Sequence, residues 1–199
     1  MAIIHDTTMS PGKLELLTAW LPAQSWYLAG GHRPALAKAG GFRLDDPDGE
    51  VGIEFMVVTD QSGDQVTAYQ VPMTYRAKAL AGADGALIGT SEHGVLGHRW
   101  IYDGTWDPVL MAQLVALLSG TAEPQAQSVS SRPDPTVTVR RAEAAGVGGA
   151  PRGQFTVRVN RILRPGGQAG QPGLSAPWLL PDGTQVRGIL ATAEHVTGP

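Results

Sequence analysis

Glycine-rich segments are the first places in this chain where a phosphate could bind, because their backbone N–H groups can approach phosphate oxygens closely. Gly146 and Gly148 begin a G-x-G-x-x-G pattern, but Pro151 stands where its third glycine belongs. The glycines between residues 166 and 173 have the wrong spacing for this pattern. The sequence also lacks G-x-x-x-x-G-K-[ST], H-R-D-x-x-x-x-N and D-F-G. It therefore lacks the phosphate cradle and metal-binding carboxylates that ATP-dependent phosphoryl transfer requires.

Other catalytic patterns are also missing from the sequence. There is no G-x-S-x-G nucleophile motif, and the absence of cysteine excludes a disulfide scaffold, a zinc ribbon and a cysteine nucleophile. Glu92, His93, His98 and Asp103 are close in sequence, but their spacing matches no known metal-ligand pattern. We therefore predict no catalytic, cofactor-binding or metal-binding residues, and we expect no enzymatic activity from the chain on its own.

Aromatic and arginine side chains are the remaining candidates for a functional surface. Exposed aromatic rings can stack on sugars, but aromatic side chains more often fill a core or an interface. Arginines on alternating strands usually face solvent, and an acidic partner surface, including the acidic first half of this chain, is the alternative. Our candidate interaction residues are Trp26, Tyr27, Trp106, Arg140, Arg158 and Arg161.

Composition limits the class of protein. The chain has 199 residues, of which 42% are hydrophobic and 17% charged, and it contains 26 glycines and 15 prolines. Many turns and short elements are expected from this composition, rather than a bundle of long helices. A net charge of −3 argues against nucleic-acid binding. No apolar run reaches the ~18 residues of a spanning helix, and residues 1–8 do not read as a signal peptide, so we expect a cytoplasmic protein without membrane contact.

Charge divides the chain into two parts. Residues 1–120 contain 7 basic and 13 acidic side chains, whereas residues 121–199 contain 8 basic and 5 acidic ones. The segment 121–135 is rich in Pro, Ser, Gln and Ala, which is typical of a linker. We therefore predict a first domain at 1–120, a linker at 121–135 and a β-rich unit at 136–199 that is docked on the first.

Two helices are predicted in the first part. Ser10 can cap the first helix with Pro11 at its first position, and Pro22 ends it. Asp107 is the expected N-cap of the second, and Gly120 provides its left-handed C-terminal residue. The second helix is apolar over more than half of its circumference, so it should be well buried.

Strands lie between the two helices. Residues 51–59 and 65–75 are separated by a turn-rich segment, which predicts a β-hairpin. Pro72 marks an edge or a bulge in the second of these strands. Residues 86–91 and 98–102 form another expected pair. The first part is therefore predicted to be α+β, an antiparallel sheet with flanking helices.

The second part is predicted to be an antiparallel β unit. Residues 136–141 and 154–163 alternate apolar and polar side chains, and a last strand is expected at 185–192. A few short strands seldom bury such an apolar face alone, so the first domain should cover it. The face consists of Val137, Val139, Phe155, Val157, Val159 and Leu190.

Three motifs in the first part resemble a known family. Residues 20–26 read W-L-P-x-Q-x-W, residues 69–72 read Y-x-V-P, and residues 102–108 read Y-D-x-x-x-D-P. In this order they resemble the N-terminal cap domain of bacterial maltokinases and related aminosugar kinases. The resemblance implies a curved antiparallel sheet with helices. In the full kinases, a separate two-lobed body holds ATP, magnesium and sugar, and residues 121–199 are too few to form it.

The resemblance therefore implies a stand-alone, non-catalytic cap protein. Its expected role is binding or regulation, with a sugar kinase or another enzyme of glycogen, trehalose or aminosugar metabolism as partner. One alternative is a subunit of a sugar phosphotransferase whose ATP site comes from the partner. Another is a small sugar-binding module that uses the Trp and Tyr side chains.

Overall fold

The computed structural model describes residues 8–28, 31–127, 132–140, 155–166 and 172–195. Over these ranges the chain forms two antiparallel β-sheets and two short helices. This confirms the predicted α+β class. The first sheet is curled and carries one helix on each side.

The elements follow one another from the N-terminus to the C-terminus. The helices are α1 (Lys13–Trp20) and α2 (Pro108–Ser119). The strands are β1 (Met9–Ser10), β2 (Leu36–Leu44), β3 (Gly52–Asp60), β4 (Thr67–Arg76), β5 (Leu87–His93), β6 (Gly97–Asp103), β7 (Gln125–Ala126), β8 (Thr138–Arg140), β9 (Phe155–Val159), β10 (Ile162–Leu163), β11 (Gly173–Leu179) and β12 (Gln185–His195). Short 3₁₀ turns occupy Leu21–Ala23, Asp84–Ala86 and Gly104–Trp106.

The first sheet has the strand order β1-β5-β6-β4-β3-β2-β7, and β10 adds to β4 beside β6. The predicted hairpin is confirmed, because β3 and β4 pair antiparallel from Gly52 opposite Tyr75 to Asp60 opposite Thr67. The predicted pairing of residues 86–91 with 98–102 is also confirmed by β5 and β6. Two-residue strands, β1 and β7, lie at the two ends of this order.

Pro72 explains how β4 is paired on its second side, the one that faces away from β3. Ala68 and Tyr69 pair with β10, and residues 73–76 pair with β6, which leaves a gap opposite residues 70–72. The backbone N–H of Gln70 points into this gap, and the nitrogen of Pro72, two residues further along the strand, faces the same way. The proline therefore removes no hydrogen bond between β3 and β4.

The second sheet has the order β8-β11-β12-β9 and comes entirely from the C-terminal part of the chain. The strand predicted at 185–192 is confirmed as part of β12. The single strand predicted at 154–163 is wrong, because the chain leaves the second sheet after Val159 and enters the first sheet at Ile162. Two residues, Asn160 and Arg161, make this change of sheet.

The helix ends follow local sequence signals to different degrees. Asp107 caps α2 as predicted: its carboxylate accepts a hydrogen bond from the N–H of Val109, and Gly120 is left-handed with φ 77°. The predicted start of α1 is wrong. Ser10 pairs with Glu92 as part of β1, so its backbone is extended and the helix begins only after Gly12.

The core has two layers, one on each face of the first sheet. Leu17, Trp20 and Leu21 pack with Val71 and Met73 on the α1 side. The other layer lies between the first sheet, α2 and the second sheet. It contains Phe42, Phe55, Leu110, Leu114, Val137, Leu174, Trp178 and Leu190, all of them buried.

Backbone approaches bring the two sheets into direct contact. The side-chain amide of Gln70 donates to the carbonyl of Leu190 at 3.3 Å. A Cβ atom added at Gly40 would lie 3.1 Å from the carbonyl oxygen of Pro177, and one at Gly188 only 2.3 Å from that of Arg164. Glycine is therefore required at Gly188 for this packing. The division into domains at 1–120 and 136–199 stays a prediction.

Neither helix among the described residues has the length and apolarity needed to cross a membrane.

Replacing Leu114 by alanine should lower the free energy of unfolding by about 2–5 kcal/mol, because the side chain is fully buried and its loss leaves a cavity. Ser119→Ala, at the exposed end of the same helix, is the control and should change stability by less than about 0.5 kcal/mol. Chemical denaturation measures both. A loss below about 1 kcal/mol for Leu114→Ala would contradict the burial of α2.

A fragment of residues 1–120 should melt at a lower temperature than the whole chain. It lacks Val137, Leu174 and Trp178, which cover the apolar face beside α2. Residues 136–199 alone should not fold cooperatively, because their own apolar face would be exposed. Thermal unfolding followed by circular dichroism measures both fragments. Equal melting temperatures together with a folded C-terminal fragment would show that the two parts are independent.

Candidate interaction site

Arg161 closes the gap in the pairing of β4. Its carbonyl accepts the N–H of Gln70 at 2.8 Å. Its guanidinium extends past the gap to the end of β6, where it binds the carboxylate of Asp103 and, at 2.8 Å, the hydroxyl of Thr105. The ion pair is largely buried, with 15% of the Arg161 side chain and 5% of the Asp103 side chain exposed. This arginine joins the C-terminal part of the chain to β4 and β6.

Trp26 covers the same guanidinium. The Arg161 guanidinium carbon lies 5.0 Å from the centre of the Trp26 ring, a cation–π distance. The indole also contacts Trp20 and Tyr69, with ring centres 5.8 and 6.1 Å away. Trp26 is half-buried, so part of its ring remains accessible to solvent.

Tyr27 is buried next to this group and has a structural hydrogen bond. Its hydroxyl donates to Asp60, whose carboxylate also accepts the backbone N–H groups of Ala35 and Ser62, each at 2.9 Å. Burial and the hydrogen bond to Asp60 raise the pKa of Tyr27 well above its usual value. Burial opposes ionisation of Asp60, but these hydrogen bonds outweigh it and lower the pKa of the carboxyl. The group fixes the loop before β2.

Trp106 is exposed, but its chain neighbours are held rigidly. Asp103 accepts the N–H of Thr105 at 3.1 Å in addition to the arginine. Asp107 is fully buried and receives two hydrogen bonds of 2.7 Å from Arg76. Burial alone would raise the pKa of Asp107, but the bonds from Arg76 lower it, so this carboxylate is ionised at neutral pH. Trp106 lies between the two carboxylates with 64% of its surface exposed.

Arg140 and Arg158 lie on the second sheet, away from this group. They are exposed and belong to β8 and β9, which are the opposite edges of the sheet, about 14 Å apart. The alternation of the strands places them on the outer face, since Val139, Val157 and Val159 pack inward.

Arg187 joins this outer face and was not among the predicted residues. It is exposed, and its guanidinium donates to the carbonyl of Thr136 at 2.6 Å and to the hydroxyl of Ser175 at 3.1 Å. Alternation along the strand is the signal that could have found it. Arg187 lies between Val186 and Gly188, which both face the core. The outer face of the second sheet therefore carries three arginines: Arg140, Arg158 and Arg187.

The structure thus places the six predicted interaction residues in different regions. Trp26, Tyr27 and Arg161 come together around Tyr69, with Tyr27 and Arg161 engaged in internal hydrogen bonds. Thr105 connects this group to Trp106. Asp60 and Asp103 hold the group together and were missed as partners, because they are 33 and 58 residues from Tyr27 and Arg161 in the chain.

The four acidic and histidine residues considered as metal ligands also lie apart from one another. His98 pairs with Glu92 across the β5–β6 hairpin, and His93 Nδ1 accepts the N–H of Leu96 at 3.1 Å. Asp103 lies at the other end of β6, where it binds Arg161. The four side chains do not converge on one point.

Comparison with known protein families finds a similarity in the first part of the chain. Residues 20–107 match the family described as the maltokinase N-terminal cap domain, which confirms the resemblance seen in the sequence motifs. The match covers less than half of the 199 residues. It includes Trp26, Asp103 and Trp106, whereas Arg161 lies outside it. A search of curated proteins found no match. The chain thus contains a segment similar to this cap domain, followed by a C-terminal β-sheet.

Removal of the Arg161 side chain should destabilise the protein strongly. Arg161→Ala leaves the carboxylate of Asp103 buried without its cation, which typically costs about 3–5 kcal/mol. Arg158→Ala removes an exposed arginine nearby in the chain and should have an effect below about 0.5 kcal/mol. Urea denaturation of both variants measures the difference.

A double-mutant cycle with Asp103→Asn tests whether the two side chains act together. We expect the loss in the double variant to be smaller than the sum of the two single losses, because both remove the same ion pair. Additive losses would show that Arg161 stabilises the fold without Asp103.

Proposed function

We propose that this chain is a non-catalytic binding protein of the cytoplasm that associates with, and regulates, a sugar kinase or another enzyme of carbohydrate metabolism. The cap-domain match supports this class of partner, because the family takes its name from a sugar kinase. The missing phosphate-cradle and catalytic-loop sequences support a role without phosphoryl transfer.

The exposure of Trp106 is the observation that carries the proposal. Tryptophan is among the side chains that contribute most to protein–protein binding energy when a partner buries it. Here the indole is 64% exposed while the residues Asp103 and Asp107 on either side are buried and hydrogen-bonded. The backbone that presents the ring is therefore already ordered, so binding costs little additional conformational entropy.

The arginines of the second sheet complement this contact. Arg140, Arg158 and Arg187 give its outer face positive charge over a width of about 14 Å. Such a face attracts an acidic partner surface and increases the association rate at low salt. Trp26 adds a half-buried ring over the guanidinium of Arg161, which also binds Thr105, the residue before Trp106.

A sugar-binding module is the second candidate, and the same residue favours it. An exposed indole such as that of Trp106 can stack on a sugar ring. A protein partner and a free sugar predict different results with the purified protein. A third possibility, a phosphotransferase subunit, requires the partner to bring the ATP site.

Trp106→Ala should abolish recovery of the partner in affinity purification from the native cell followed by mass spectrometry. We expect a carbohydrate-metabolism enzyme with the wild-type chain, and binding to that purified enzyme weakened about 30-fold in the variant. Leu28→Ala, which removes a side chain of similar exposure at 63%, is the matched control and should retain binding.

Two results would contradict the proposal. One is recovery of the same enzyme by the Trp106→Ala variant at the wild-type level. The other is quenching of tryptophan fluorescence by maltose in the wild-type chain and not in Trp106→Ala, which would establish sugar binding instead. Magnesium-dependent phosphorylation of maltose or glucosamine by the purified chain alone would exclude a non-catalytic role.

A further inference from the structure

Three basic side chains surround one buried carboxylate on the α1 side of the first sheet. Lys13, the first residue of α1, forms a 2.6 Å ion pair with Glu54 on β3. Arg43 on β2 lies directly opposite Glu54 in the strand register. Lys38, further along β2, interacts electrostatically with both Glu54 and Lys13. We call Lys13, Lys38, Arg43 and Glu54 the basic corner.

Glu54 has little remaining capacity to accept hydrogen bonds. Its Oε2 atom accepts from Lys13 and from the hydroxyl of Tyr75, both at 2.6 Å, and its Oε1 atom accepts from the amide of Gln127 at 2.7 Å. A carboxylate has about four such positions, so three are filled. Burial opposes its ionisation, but Lys13 and these hydrogen bonds outweigh that effect and lower the pKa of Glu54. Its single negative charge is thus matched by Lys13.

Lys38 and Arg43 share the charge of Glu54 with Lys13 and have no carboxylate of their own in the described ranges. Neither forms an ion pair or a side-chain hydrogen bond with any residue in the described ranges. The carboxylate of Asp45, which follows β2 and lies two residues beyond Arg43, has contacts of its own. Three cations against one buried anion leave two positive charges in the basic corner.

The excess positive charge of the basic corner is energetically unfavourable. Arg43 is half-buried, and burial lowers the pKa of Lys38; the charge of Glu54 opposes this effect and that of Lys13 adds to it. The register places Lys38 opposite Val58 and Arg43 opposite Glu54, about 13 Å apart along β3, so an anion bound between their long side chains would reduce the repulsion between the two charges. Gln125 on β7 lies directly opposite Arg43 and adds an amide donor beside it.

We propose that the basic corner binds the phosphate group of a small phosphorylated ligand, with Arg43 and Lys38 as its direct contacts and Gln125 as an additional donor. Two unpaired cations match the charge of a phosphate monoester, which is close to −2 at neutral pH. The guanidinium fork of Arg43 fits two phosphate oxygens at once, and Lys38 supplies a movable point charge. Glu54 and Lys13 hold the surrounding strands and do not contact the ligand.

Isothermal titration calorimetry of the full chain with inorganic phosphate, at constant ionic strength, tests this site. We expect binding by the wild-type chain and a loss of affinity of about tenfold or more in both Arg43→Gln and Lys38→Gln. Arg158→Gln removes an exposed arginine of the second sheet and should bind phosphate like the wild type. Lys38 is exposed, so its variant keeps the fold and tests the site even if Arg43→Gln proves unstable.

Glucose 1-phosphate and AMP, titrated in the same way, distinguish a sugar phosphate from a nucleotide as the source of the group. Tighter binding of either than of free phosphate, lost in Lys38→Gln, supports the site and identifies its class. No detectable binding of any of the three probes, or equal affinity in the wild type and in Lys38→Gln, would overturn the proposal.

Discussion

The interruption in the pairing of β4 is the constraint on which the rest of the structure depends. Pro72 has no N–H, and β4 has no continuous partner on its second side. The C-terminal part of the chain fills that position twice, with β10 as a strand and with Arg161 as a side chain. Because Arg161 neutralises Asp103, a segment outside the cap-domain match completes the polar contacts of a residue inside it. The first sheet and the C-terminal part of the chain are therefore joined by strand pairing, an ion pair and apolar contact.

Sequence reasoning succeeded where a few neighbouring residues determine the structure. The cap of α2 needs only Asp107, Pro108 and Gly120, and the β3–β4 hairpin needs two apolar strands and a polar turn. It failed where the backbone depends on distant partners. Ser10 reads as a helix cap, but pairing with Glu92 keeps it extended. The strand β11 went unpredicted, although its Trp178 is among the largest buried side chains.

For the arginines, too, sequence reasoning fails where the position of a side chain depends on distant partners. Alternation along a strand is a local property, and it correctly places Arg140 and Arg158 on a solvent-facing side. Arg161 lies between two strands of different sheets, where alternation has no meaning, and its ion pair spans 58 residues. The basic corner likewise combines residues from α1, β2 and β3 that no sequence spacing connects. Both clusters lie on the α1 side of the first sheet, where distant parts of the chain pack together.

The very short strands β1 and β7 have a consequence for how this molecule meets others. Each end of the first sheet, as described, offers only a two-residue strand. β1 pairs with only two residues of β5, and β7 with only two residues of β2, so most of the outer edge of these longer strands has no strand partner in the described ranges. An extended segment of another chain could therefore add to β5 or β2 through backbone hydrogen bonds, without any change in the rest of the sheet.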